Sequence, residues 1–211
     1  MILIEAFTWI IDNFDAFARA FNRHLLMCML SLGIALVIAV PLGFLVARSP
    51  RAAFVSINTA GALRSIPSLA ILAAAMPLLG IGLLPSVIAL IVLAMPPLLL
   101  NTIIGIREID PAVIDAADGM GMGRSEIVRQ IEVPLALPSI LTGFRTSAIQ
   151  VIGGAALASF IGGGGLGDYI NAGIAMMSMS RLLVGALPIA LLAISTELLF
   201  VWLERSLSQR R

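Results

Sequence analysis

Five uninterrupted apolar runs, at 25–46, 60–79, 83–104, 138–161 and 182–203, limit what this chain can fold into. Each reaches roughly the 20 residues that a helix needs to cross a bilayer's hydrocarbon core. No water meets backbone polar groups there, so a crossing segment is either a helix or a strand of a closed barrel. A barrel requires short segments with strict two-residue alternation, whereas these runs are continuously apolar and rich in Ala, Leu and Ile. The expected fold class is all-α integral membrane with five transmembrane helices. A composition 60% hydrophobic and only 12% charged agrees.

Arginine gives the orientation, because the chain has no lysine and all 13 basic residues are Arg. With five spans the termini lie on opposite sides. Arg48, Arg51, Arg64, Arg107, Arg124, Arg129, Arg145, Arg205, Arg210 and Arg211 fall on one side, and Arg19, Arg23 and Arg181 on the other. The positive-inside rule then puts the C-terminus and the 106–134 loop in the cytoplasm and the N-terminus outside. Three regions follow: an N-terminal segment 1–23, a membrane domain 24–204 and a cytoplasmic tail 205–211. In the first, Phe7, Ile10, Ile11, Phe14, Phe17 and Phe21 recur at helical spacing opposite Asp12, Asp15, Arg19 and Arg23. This pattern fits an amphipathic helix on the outer membrane surface or a plain lead-in to the first span. It has no basic n-region of a cleavable signal, so the N-terminus is expected to be retained.

Few residues inside the spans carry chemistry. The lone Cys28 allows no internal disulfide, and the lone His24 allows no histidine-based metal cluster or triad. Neither a catalytic nor a metal site is expected. Pro67, Pro77, Gly80, Gly82 and Pro85 crowd the hairpin between the second and third spans, and Pro96 and Pro97 interrupt the third. Such breaks free backbone carbonyls and either shape packing or line a pathway. Ser65, Ser68, Ser147, Gln150 and Ser159 are the pathway candidates, although the small residues of the fourth span equally suit close helix packing. Glu197 is a carboxylate well inside a span, and pairing with Arg64 or Arg145 is expected to hold it.

The loop between the third and fourth spans reads as two short helices. Asp110 suits an N-cap and Pro111 the first helical position. The first helix should stop at Gly119, Gly121 and Gly123. A second should run from about Arg124 to Glu132, with Pro134 ending it. Within this loop, Asp115-Ala116-Ala117, Gly121, Ile131 and Val133-Pro134 resemble the EAA loop of the type I permeases of bacterial ATP-binding-cassette importers. That signature is Glu-Ala-Ala, three residues, Gly, nine residues, Ile, one residue, Leu-Pro. Every spacing matches, with Asp in place of Glu and Val in place of Leu. The resemblance implies the type I importer fold, with Asp115, Ala116, Ala117, Gly119, Gly121, Ile131, Val133 and Pro134 docking a separate ATPase. The two alanines would let that neighbour approach the helix.

The run Gly162-Gly163-Gly164-Gly165-Leu166-Gly167 contains G-x-G-x-x-G, but it follows a membrane span rather than a strand, so a dinucleotide site is rejected. A P-loop requires lysine and is excluded. With Asp168 and Tyr169, the run instead resembles the Gly-Gly-Leu-Gly turn of small-solute permeases, which implies that Gly164, Gly165, Leu166, Gly167 and Asp168 form an external turn, a gate or a binding-protein contact. Together with Ser65-Ile66-Pro67-Ser68-Leu69-Ala70, Gly80-Ile81-Gly82-Leu83-Leu84-Pro85 and Gly119-Met120-Gly121-Met122, it is most similar to permeases for glycine betaine, choline, carnitine and related osmoprotectants. Methionine importers share the length and the glycine turn, and a non-conducting scaffold that docks an ATPase is the remaining alternative. The resemblance implies no catalysis and no cofactor on this chain. ATP and Mg would be bound by a dimer of the partner ATPase. The other implied partners are a second copy or a paralogous permease, an extracytoplasmic solute-binding protein and membrane lipid, with no nucleic acid, in a bacterial inner membrane.

Overall fold

The computed structural model describes residues 1–208, with side chains through residue 204. Among these residues the fold is helical. Helix α1 is Ile2–Asp12, and α2 is Phe14–Ala47. Only Asn13 separates them, so the segment 1–23 forms α1 plus the first turns of the first crossing helix. The 34 residues of α2 extend about 51 Å at 1.5 Å each, well beyond a 30 Å core. Helix α1 folds back against the last helix and buries Ala6.

The second crossing departs from the expected straight helix over 60–79. Helices α3, Pro50–Arg64, and α4, Ser68–Leu79, meet at a bend of 93°. Pro67 lacks the N–H a continuing helix needs and drives Ile66 away from helical backbone, so the bend falls at Ser65-Ile66-Pro67. By contrast α5, Leu83–Arg107, stays continuous through Pro96 and Pro97. Side chains donate to carbonyls near that break, Asn101 to Pro97 at 2.8 Å and Thr102 to Leu98 at 2.7 Å. Ser147 on the facing helix donates to Ala94 at 2.8 Å.

After the loop come α6, Pro111–Gly119, and α7, Arg124–Ile127, then a wide π-turn at Val128–Glu132 and α8, Val133–Leu157. A 3₁₀ turn at Ala158–Ile161 leads to α9, Gly167–Ala175, and α10 is Met179–Ser208. The tail expected from residue 205 thus begins as the end of α10, and residues 209–211 lie outside the described residues. Among the described residues four helical stretches are long and apolar enough to cross a membrane, and the bent α3–α4 pair, a broken span or a re-entrant loop, brings the number to five if it counts as one span.

The core is the three-way packing of α2, α5 and α8. Membrane helices gain little from hydrophobic exclusion, so close backbone approach and interhelical hydrogen bonds hold them. A Cβ added at Gly143 would lie 2.9 Å from the Pro97 carbonyl and 2.8 Å from Asn101 Cβ. Ser31 on α2 donates across to Val87 on α5 at 3.3 Å. Gly143→Ala is therefore expected to cost about 1–3 kcal/mol and to lower the melting temperature of the detergent-purified chain. Gly153→Ala, with nothing within 4 Å, should not lower it and should raise it slightly, since alanine is the better helix residue.

Candidate functional site

The 106–134 loop forms from its own capping chemistry. Asp110 Oδ1 accepts from the Ala112 N–H at 2.9 Å, and Pro111 opens α6. Past its end, the Gly121 N–H donates to Asp118 at 3.0 Å and the Met122 N–H to Ala117 at 3.2 Å. Gly121 alone among the three glycines takes the left-handed backbone, at φ +81°. The reversal therefore belongs to Gly121, while Gly119 closes the helix and Gly123 leads into the next one.

The second helix does not end at Pro134. It runs from α7 through the π-turn into α8, so the loop's last segment and the fourth crossing are one continuous helix. Proline's ring clashes with the carbonyl four residues back in a regular α-turn. Here the preceding turn is wide, with bonds running five residues back, and Pro134 sits in the first turn of α8.

The loop's candidate residues divide by exposure. Asp115, Ala116, Gly119, Gly121, Val133 and Pro134 are exposed, and Ile131 is half-buried. Ala117 is 1% exposed, so of the two alanines only Ala116 is open at the surface. The sequence spacing gave no sign of a buried charge beneath them. Glu132 is 5% exposed, with Arg124 at 3.2 Å and Arg48, just beyond α2, at 3.8 Å. A cavity of about 390 Å³ lies beside this cluster, lined by Arg48, Arg107, Asp115, Arg124 and Glu132 among others.

The five pathway candidates lie apart. Ser65 and Ser68 flank the α3–α4 bend, where the exposed Ser65 hydroxyl donates to Gly61 at 3.4 Å. Ser147 is fully buried in its bond to Ala94, a packing contact between α8 and α5. Gln150 is half-buried on α8. Ser159 accepts a hydrogen bond from Asn171 and lines a cavity of about 470 Å³ with Phe160, Asn171, Ile174 and Ala175.

The glycine turn is pinned from three sides. The Arg23 guanidinium donates to the Gly163 carbonyl at 2.7 Å, and the Gly82 N–H donates to Ile161 at 2.8 Å. Gly162, Gly164 and Gly165 all have positive φ, Leu166 is fully buried, and Gly167 lies against the Ala156 carbonyl with no room for a side chain. Partial burial holds the Asp168 carboxyl above the usual carboxylate range, opposed by the Ser159 hydroxyl and the Arg23 charge. Trp9 and Tyr169 meet edge to face at 5.0 Å, and the Arg181 guanidinium lies 5.1 Å over Trp9, so the Trp9 face already holds a cation. Glu197 pairs with Arg145 at 3.7 Å, and Arg145 also binds Glu204 at 3.1 Å. Of its two expected partners, Arg145 is the one beside it.

This arrangement of crossing helices, a broken second span and a two-helix loop feeding the fourth is that of a polytopic membrane permease. Residues 39–209 match the family described as binding-protein-dependent transport system inner membrane component, and the chain belongs to that family. It is 40% identical to the choline transport system permease protein OpuBB of Bacillus subtilis, over 88% of this chain and 86% of that protein. It is likewise 40% identical to the carnitine transport permease protein OpuCB of Listeria monocytogenes, over 89% and 86%. With the osmoprotectant import permease protein OsmW of Salmonella typhimurium the identity is 36%, over 90% and 91%. The fold is that of the permease chain in inward-facing structures of the MetNI methionine ABC transporter, with a TM-score of 0.78 at 23% identity, covering 90% of this chain and 95% of that one.

Ala116 and Ala117 give a paired test of the docking loop. Ala116→Arg should leave membrane insertion and melting temperature unchanged yet abolish copurification with the cognate ATPase. Ala117→Arg should lower the melting temperature as well, because a buried arginine disrupts the loop itself. Copurification that persists in Ala116→Arg would count against docking here.

Proposed function

We propose that this chain is the permease subunit of an ATP-binding-cassette importer for a small quaternary-ammonium osmoprotectant such as glycine betaine, choline or carnitine. The observation that carries the reading is its 35–40% identity, over most of its length, to permeases named for those solutes. Methionine import is supported only by a fold shared at 23% identity, and nothing in the chain favours a non-conducting scaffold.

In this reading the N-terminus is outside, the C-terminus and the docking loop are cytoplasmic, and Asp115, Ala116, Gly119, Gly121, Ile131, Val133 and Pro134 meet a dimer of ATPase subunits. The ATPase holds ATP and Mg and performs the hydrolysis. This chain contributes no catalytic group and binds no cofactor. Movement of the α6–α7 hairpin passes directly into α8, because the two form one continuous helix from Arg124, a hinge-type transmission. A second permease, identical or paralogous, completes the pathway, and Gln150 on α8 and Ser159 on the 3₁₀ turn that follows it are its nearest polar lining. An external solute-binding protein delivers the solute to the glycine turn at 162–168. Trp9 and Tyr169 do not serve as a cation cage, because Arg181 fills that position, so selectivity rests with the binding protein.

The test is uptake in cells that lack their own osmoprotectant transporters and express this chain with its cognate ATPase and binding protein. Labelled choline should accumulate, excess glycine betaine or carnitine should compete, and excess methionine should not. Competition by methionine alone would overturn the substrate assignment.

A further inference from the structure

The hairpin has a covalent route into α8, but it also touches a second element, the α2–α3 corner. Arg48 stands at the corner between α2 and α3, and it reaches the hairpin through Glu132. Glu132 closes the π-turn, so its side chain sits at the joint between hairpin and crossing helix. Its carboxylate is buried and divided between two arginines from different elements. Oε1 meets Arg124 of α7 at 3.2 Å, and Oε2 faces Arg48 at 3.8 Å. The Oε2 atom is buried and has no hydrogen bond in this conformation. A buried carboxylate oxygen left in that state is unfavourable, and a charge-assisted bond closes at about 2.7–2.9 Å. The Arg48 side chain is 41% exposed and stands beside the 390 Å³ cavity, so it has room to move in.

We propose that Glu132 is a positioning residue for energy coupling, a charge latch through which the docking hairpin pulls the α2–α3 corner as well as α8. The Arg48–Glu132 contact is half made in this conformation and closes when the ATPase moves the hairpin. Two helices on different sides of the core are thereby driven by one docking event. This inference rests on the importer reading above. It adds a second transmission route, which the continuity of Arg124 with α8 does not require.

The test uses the complete complex of permease, ATPase and binding protein in proteoliposomes, with labelled choline imported per ATP hydrolysed as the readout. Glu132→Gln and Arg48→Gln should assemble and hydrolyse ATP near the wild-type rate, while choline imported per ATP falls by about fivefold, a normal scale for altered coupling. Arg48→Lys, which keeps the charge, should recover most of the loss. An unchanged import-to-hydrolysis ratio in Arg48→Gln overturns the latch, as does a loss confined to the amount of assembled complex. Should Glu132→Gln fail to assemble, the two Arg48 variants decide by the same ratio. A wild-type complex that imports no solute with ATP would instead defeat the importer reading itself.

Discussion

The contact between α5 and α8 sets the position of everything else. Both helices carry small or hydroxyl side chains where they meet, so Gly143 rests on the Pro97 carbonyl and Ser147 donates to Ala94. In a bilayer such contacts replace the hydrophobic exclusion that holds soluble cores. Around the two prolines of α5, Asn101, Thr102 and Ser147 donate to the carbonyls of Pro97, Leu98 and Ala94. Helix α2 closes the group through Ser31. With α8 fixed at its centre, the loop that feeds α8 at one end and the glycine turn that leaves it at the other stand in defined places.

Those two ends differ in construction. The 106–134 loop is capped locally by Asp110 and reversed at Gly121, and its exposed face carries Asp115 and Ala116. The glycine turn is held by partners distant in sequence, Arg23 and Gly82, and its backbone is too crowded for side chains at Gly167. The loop is thus held by its own local bonds, and the turn at the opposite end of the same helix by contacts across the bundle. The hairpin's second arm continues through the π-turn into α8.

Much of this was legible in the sequence because membranes impose long-range uniformity. Run length alone located the crossing helices, and Asp110-Pro111 marked the start of α6. The family is legible through a loop pattern read by its spacing, and the match over residues 39–209 shows the family independently of that loop. What escaped was anything decided by a neighbour distant in sequence. Pro67 bends its span by 93°, whereas Pro134 sits in the first turn of α8, in a helix that continues through the wide turn before it. Ala117 and Ala116 read alike, yet packing buries one of them. Glu132 was one acid among six in the loop until Arg48, more than eighty positions earlier, came beside it.

The central claim is that ATP hydrolysed by a partner drives solute through this chain. Its most direct measurement is choline uptake into proteoliposomes holding the complete complex, loaded internally with ATP and Mg or with ADP and Mg, with the binding protein and labelled choline outside. The account predicts accumulation against a gradient with ATP and none with ADP. Equal uptake in both, or ATP hydrolysis with no uptake, would contradict it.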